Sequence, residues 1–135
     1  MKLIDANIFI YAAGKDHPYK LPCLRLLRLV EAGDVKANTD VEVLQEILHF
    51  YHARKRTNEG LTVLSLVATQ FPDPLPVDLP VILMAGRTLR SIATIEARDA
   101  VHAAVATYGG LDGIISADRD FDRVPGIKRY DPKEF

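Results

Sequence analysis

The opening stretch Met1-Lys2-Leu3-Ile4-Asp5-Ala6-Asn7-Ile8-Phe9-Ile10 constrains this chain more than any other. Leu3 and Ile4 form an apolar run too short for a helix and suited to a fully buried strand. The run stops at an acid, and the apolar pattern resumes only after Asn7. In an open α/β sheet, ligands bind at the carboxyl ends of the strands, where the chain turns into the next helix. Asp5 falls at that edge. A carboxylate there is costly unless hydrogen bonds, a cation or a helix N-terminus offset the loss of water. Capping of the next helix by Asp5 or Asn7 would by itself account for it. Recurrence favours more than a cap, because further acids stand at similar boundaries or on helices able to flank the same edge.

The rest of the chain alternates short strands with helices. Pro18 or Pro22 starts a helix whose apolar face holds Leu21, Leu24, Leu27 and Val30 and which Gly33 ends. Val35-Lys36-Ala37 reads as a second strand. Thr39-Asp40-Val41-Glu42 has the spacing of a capping box and opens a helix to about Arg56, with Leu44, Ile47, Leu48 and Tyr51 as its buried stripe. Asn58 caps a further helix containing Leu61, Leu64, Val67 and Ala68. The proline-rich run from Phe71 to Pro76 leaves room for only a short strand near Val77. Asp78 and Pro80 suit the start of a helix through Arg90. A helix from about Ile95 to Tyr108 is apolar almost all round, which makes it central. Gly113-Ile114-Ile115-Ser116 is another buried strand running into acids, and Ile127 to Tyr130 is an edge strand. Strands alternating with helices predict one α/β domain over 1–135, a mostly parallel sheet flanked by helices.

The acids gain weight as a set. Glu46 on its helix reads as a solvated surface glutamate. Asp99 is harder to dismiss, since aspartate is a poor helix former and burial there is costly. Asp118 and Asp120 follow a buried strand and would suit an Asx-rich turn. Each has an ordinary explanation, and together they converge. A carboxylate cluster suits a hard, oxygen-loving ion such as Mg²⁺ or Mn²⁺. Zinc would want His or Cys, and His17, His49, His52 and His102 show no ligand spacing. The matching chemistry is phosphoester hydrolysis, in which the ion activates water and stabilises the leaving oxygen.

Overall charge is of little help in finding the substrate. With a formal net charge of -1, no bulk basic field advertises nucleic-acid binding, so any such contact is local. Arg54-Lys55-Arg56, Arg87, Arg90, Arg119 and Arg123 are candidates, and Arg119 and Arg123 flank the acids. The lone Cys23 fits a reducing compartment. The absence of an apolar leader or membrane-length stretch predicts a cytoplasmic protein.

The ordered set Ile4-Asp5-Ala6-Asn7, Leu44-Gln45-Glu46-Ile47-Leu48, Ala97-Arg98-Asp99-Ala100-Val101-His102-Ala103-Ala104 and Ser116-Ala117-Asp118-Arg119-Asp120-Phe121 resembles a PIN domain, with the nearest likeness to the small VapC toxins of prokaryotic toxin–antitoxin pairs. The resemblance covers essentially the whole chain. It implies a PIN-like three-layer sandwich and a Mg²⁺- or Mn²⁺-dependent endoribonuclease. It also implies a small antitoxin that masks the site, and a homodimer. Carried over by position, Asp5 and Asp99 are the principal metal ligands, Glu46 completes the acidic triad, and Asp118 and Asp120 are both candidates for the last acid. Asn7, Ser116 and Arg119 are expected near the RNA. Ala6 stands where a hydroxyl residue is common. An RNA-processing nuclease without an antitoxin, or a noncatalytic RNA- or protein-binding scaffold, remains the alternative. A receiver domain would need an early acidic pair and a late lysine, and a haloacid-dehalogenase-type phosphatase would need Asp-x-Asp where this chain has Asp5-Ala6-Asn7.

Overall fold

The computed structural model describes residues 1–135. Its centre is a four-stranded parallel sheet, made of β1 (Lys2–Ile4), β2 (Ala37–Asn38), β3 (Ile114–Ile115) and β4 (Arg129–Tyr130), in the order β2-β1-β3-β4. Leu3 and Ile4 pair with Ile114 and Ile115, so the two most apolar runs lie side by side in the middle. Their neighbours in sequence point to opposite faces, as the two-residue period of a strand requires. Leu3 and Ile114 enter one core, and Ile4 and Ile115 enter the other. Both faces are covered, which explains why these runs carry no polar alternation.

Six helices supply the cover: α1 (Ala6–Ala13), α2 (Lys20–Glu31), α3 (Val41–Ala53), α4 (Thr57–Gln70), α5 (Leu79–Ser91) and α6 (Ala97–Tyr108). The first four pack on the face of Ile4 and Ile115 through Phe9, Leu26, Val43, Ile47 and Val67. On the other face α5 and α6 pack through Val81, Ala85, Ala100, Ala103 and Ala104. The result is the expected three-layer sandwich. The alanines of α6 leave little side-chain bulk, so this central helix sits close to the sheet. Gly113 admits the chain into β3 at φ 143°, and a Cβ there would meet the Lys128 carbonyl oxygen at 2.1 Å.

Several local expectations are corrected. Helix α3 is capped by Asp40, whose carboxylate accepts from the Val43 amide, and the Thr39 hydroxyl instead donates to the Ile4 carbonyl of β1. The sheet competes for Thr39 and wins, because a buried hydroxyl beside a strand end needs its own partner. The buried stripe of α3 is Val43, Ile47 and Tyr51, rotated from the one expected. In α4, which starts without a side-chain cap, the inward residues are Gly60, Val63 and Val67, and Leu61 is exposed. Gly60 allows α4 to lie against Tyr51, whose Cβ would be 2.6 Å from an added methyl. Leu21 of α2 is likewise exposed, while Cys23 and Leu26 are buried. The second strand lies at Ala37–Asn38, and near Val77 there is only an isolated bridge from Asp40 to Leu75. Asp78 caps α5 as expected, accepting from the Val81 amide with Pro80 in the first turn.

Candidate functional site

All strands being parallel, their carboxyl ends share one edge, and each delivers a polar residue there. Asp5 follows β1, Thr39 and Asp40 follow β2, and Ser116 follows β3. Asp5 is only 5 % exposed, yet both its oxygens are engaged. Oδ1 accepts from the Ala6 amide at 2.7 Å, and Oδ2 accepts from the Ser116 hydroxyl and the Asn7 amide, each at 2.6 Å. Asp5 therefore caps α1 and faces the site at once. Asn7 Nδ2 also donates to Ser116 Oγ, while Asn7 Oδ1 accepts from the Ala117 amide. Ser116 Oγ accepts from the Asp118 amide. Asn7 and Ser116 thus spend their polar atoms on Asp5 and the loop after β3, and Ser116 is fully enclosed.

The second wall is built around a residue that sequence spacing did not single out. His102, fully buried on α6, directs Nδ1 at Asp40 Oδ2 at 2.8 Å and Nε2 at Glu46 Oε2 at 3.2 Å. Its Nε2 also lies 4.0 Å from Asp5 Oδ1. Carboxylates facing both ring nitrogens require both to donate, which only the imidazolium does. Burial alone would depress its pKa, but the hydrogen bonds and charges of Asp40, Glu46 and Asp5 outweigh burial and raise it well above 6.5. Asp40 thus joins helix capping to a grip on His102, and His102 holds Glu46 toward Asp5. The usable signal was the ionisable residue inside the alanine-rich stripe of α6, one turn beyond Asp99.

Asp99, in the first turn of α6, faces the loop after β3. The carboxylates of Asp99, Asp118 and Asp120 come within 4.8 Å of one another, and Asp5, Glu46 and His102 form a second group within the same limit. Asp118 accepts from the Asp120 amide and opens the 3₁₀ turn Arg119–Arg123. Asp120 is 3.4 Å from Arg123. All the acids expected from the sequence thus reach one edge of the sheet, in two groups. Arg119 stands between Asp118 and Asp120 and is exposed.

This edge stores electrostatic cost. Burial, opposed by His102 and the Ser116 hydroxyl and reinforced by Glu46, pushes the Asp5 carboxyl up to about 6. Burial and the charges of Asp5 and Asp118 push Asp99 up to about 7. Hard oxygen donors whose charged forms repel one another fit a divalent cation such as Mg²⁺ or Mn²⁺. At the mouth, Arg98 reaches Glu46 at 3.4 Å, so the pocket already accepts a guanidinium.

The chain matches the PIN domain family over residues 2–127. It is 39% identical over 129 residues to Ribonuclease VapC13 of Mycobacterium tuberculosis, covering 96% of this chain and 98% of that protein. Ribonuclease VapC7 of the same species is 29% identical over 122 residues, covering 90% and 84%. Among solved structures, the DNA-bound VapBC of Salmonella typhimurium superposes with a TM-score of 0.77 at 18% identity, covering 98% of each chain. FitAcB of Neisseria gonorrhoeae does so with a TM-score of 0.76 at 16% identity over the whole of both chains. These structural likenesses concern the fold.

Proposed function

The chain belongs to the PIN domain family, and from that premise we propose that it is a Mg²⁺- or Mn²⁺-dependent endoribonuclease serving as the toxin of a toxin–antitoxin pair. One observation carries the reading: Asp5, Glu46, Asp99, Asp118 and Asp120, far apart in sequence, meet at one sheet edge. The ribonuclease and VapC names of its relatives support the substrate class and the toxin role.

Asp5 and Asp99 would hold the ion, with Asp118 or Asp120 completing the oxygen set from the loop. When bound, such an ion polarises a phosphoryl oxygen and lowers the pKa of water. The chain's own residues orient that site. Ser116 and Asn7 hold Asp5 from one side by hydrogen bonds, and His102 holds Glu46 from the other. The enclosed β1 and β3 ends exclude solvent behind Asp5, which strengthens every charge interaction in front of it. Arg119 and Arg123 lie beside the acids and supply cations for the phosphates flanking the cut.

An antitoxin would silence this edge with a basic side chain, and the Arg98–Glu46 contact supports that mode of entry. For self-association, Leu79, Ile82 and Leu83 form an apolar strip on the outer side of α5, exposed by 69, 46 and 54%. A homodimer that covers this strip is the expected assembly, and its mass in solution tests it. The activity is tested by incubating purified protein with structured RNAs in Mg²⁺, Mn²⁺ or EDTA. Cleavage is expected with either ion and not in EDTA. Undiminished cleavage in EDTA would overturn the metal-dependent mechanism.

A further inference from the structure

Next to the acidic edge lies an aromatic surface that the hydrolytic site does not use. The rings of Tyr11, His17 and Tyr19 are nearly parallel. Tyr11 lies 4.4 Å from His17 at an interplanar angle of 22°, and 5.5 Å from Tyr19 at 26°. His17 and Tyr19 are 6.0 Å apart at 19°. Each of the three pairs is stacked, and the centroids make a triangle and not a single column. His17 is exposed and the tyrosines are half-buried against the core of α1 and α2.

The stack is tied to the site by hydrogen bonds. Tyr11 follows Asn7 by four residues on α1, so it lies on the same helix face about 6 Å further along. The Tyr19 amide donates to His17 Nδ1 at 3.2 Å, which orients that ring. The Tyr19 hydroxyl donates to Asp131 Oδ2 at 2.9 Å, and Arg129 spans from Asp131 to the Ser116 carbonyl. One end of this chain of bonds is thus the residue that holds Asp5. One cation lies on a ring, and two more border the turn between α1 and α2. Lys133 Nζ stands 4.3 Å from the Tyr19 centroid, Lys20 donates to the Gly14 carbonyl, and Lys15 shares the turn with one opposing acid, Asp16.

Stacked rings, one of them exposed, with lysines nearby, have the make-up of surfaces that take unpaired bases. We propose that Tyr11, His17 and Tyr19 form a stacking subsite for one unpaired base of an RNA strand whose backbone crosses the acidic edge. The proposal rests on the ribonuclease reading for its choice of RNA. Lys133 already covers Tyr19 and Tyr11 is stacked against His17, so the base lies over the exposed His17 ring. Stacking is indifferent to base identity, so this subsite selects single strands over duplex.

The test measures fluorescence anisotropy of a labelled, unstructured RNA oligonucleotide binding to full-length Asp99→Asn protein, which removes cleavage from the measurement. Adding His17→Ala should weaken binding by about fivefold or more, and Tyr11→Leu, which removes the ring that supports His17, should weaken it as well. His17→Phe, which keeps a ring, should bind like its parent. The ratio between His17→Ala and parent should survive added salt, because ring contacts are not screened as phosphate contacts are. Unchanged affinity in both His17→Ala and Tyr11→Leu overturns the subsite. So does a parent that binds no RNA, or a loss confined to binding of a protein partner. The two readings fail separately. Ring-dependent binding by a wild-type protein that cleaves nothing keeps the subsite and removes the nuclease. Cleavage by a His17→Ala single variant at wild-type rate and RNA affinity does the opposite.

Discussion

The two halves of the acidic edge are built differently. Asp5, Glu46 and His102 stand on a strand end and two helices, with every buried polar atom paired. Asp99, Asp118 and Asp120 stand on a helix start and a loop, partly open to solvent, with an ion pair from Asp120 to Arg123 at the rim. The first half carries its own counter-charge in the buried imidazole. The second half has none inside it, so there the ion has most to neutralise. The inner half is balanced internally, and the outer half is not.

The largest effect expected from this difference is chemical. Asp99→Asn should lower RNA cleavage by at least about a hundredfold, since an ion's Lewis-acid work is several kcal/mol. In wild type, an ion at roughly ten times its Kd should add about 1.4 kcal/mol, or a melting rise of about 3–6 °C. In Asp99→Asn most of that rise should vanish, while the metal-free protein melts at or above wild type because a repelling charge is gone. Thermal melts with and without Mn²⁺ read both quantities. A clearly destabilised variant that keeps the wild-type Mn²⁺ shift would erase the distinction between the halves.

The inner half should fail as structure. His102→Ala leaves buried Asp40 without its partner, and breaking such a pair costs about 3–5 kcal/mol. His102→Gln keeps a donor for Glu46 and should recover part of the metal response without recovering full stability. Denaturant unfolding measures the first and calorimetric Mn²⁺ titration the second. Equal stability of His102→Ala and wild type would show that the imidazole is dispensable.

pH sharpens the comparison further. Asp5 and Asp99 have folded-state pKa values raised to about 6 and about 7. Their stabilisation is complete below the unfolded value near 4 and is lost as pH rises through 6 and 7. His102, raised well above 6.5, acts in the same direction, its contribution lasting until pH passes its elevated value. Metal-free melting temperature should therefore fall between pH 5 and pH 8, and Mn²⁺ should raise it more at pH 8. Asp131, whose carboxyl is held low by the Lys133 amide, Tyr19 and Arg129 against the effect of burial, acts only at more acid pH. A metal-free melting temperature that climbs across this window would contradict the charge balance of the whole edge.

The smallest effect separates the loop acids. Asp118→Asn keeps an acceptor for the Asp120 amide, and Asp120→Asn loses only an exposed contact to Arg123, so each should change stability by less than about 1 kcal/mol. Their cleavage rates, compared at saturating Mn²⁺, decide which acid the ion uses.

Much of this was legible because it is local. A short apolar run ending in an acid marks a strand end whatever the rest of the chain does, and Leu3-Ile4-Asp5 and Ile114-Ile115-Ser116 are such runs. The alanine-rich stripe of α6 announces a central helix, and the proline after Asp78 announces the start of α5. The faces of α2, α3 and α4 were harder to place. Each has apolar residues on more than one side, and only packing decides whether Leu21 or Cys23, Leu44 or Val43, turns inward.

The sequence by itself therefore determined the alternation of elements, the covered sheet and the set of acids at its edge. Tertiary structure decided how those acids divide and what holds them. Asp40 meets His102 across 62 residues, Ser116 meets Asp5 across 111, and Tyr19 meets Asp131 across 112. Local preferences act over a helical turn or a strand pair, but a buried hydrogen bond between distant residues exists only once the sheet order brings the strand ends together. Thr39 carries the lesson in one side chain. Its position suits a helix cap, and its hydroxyl went to β1 because folding placed the Ile4 carbonyl within reach.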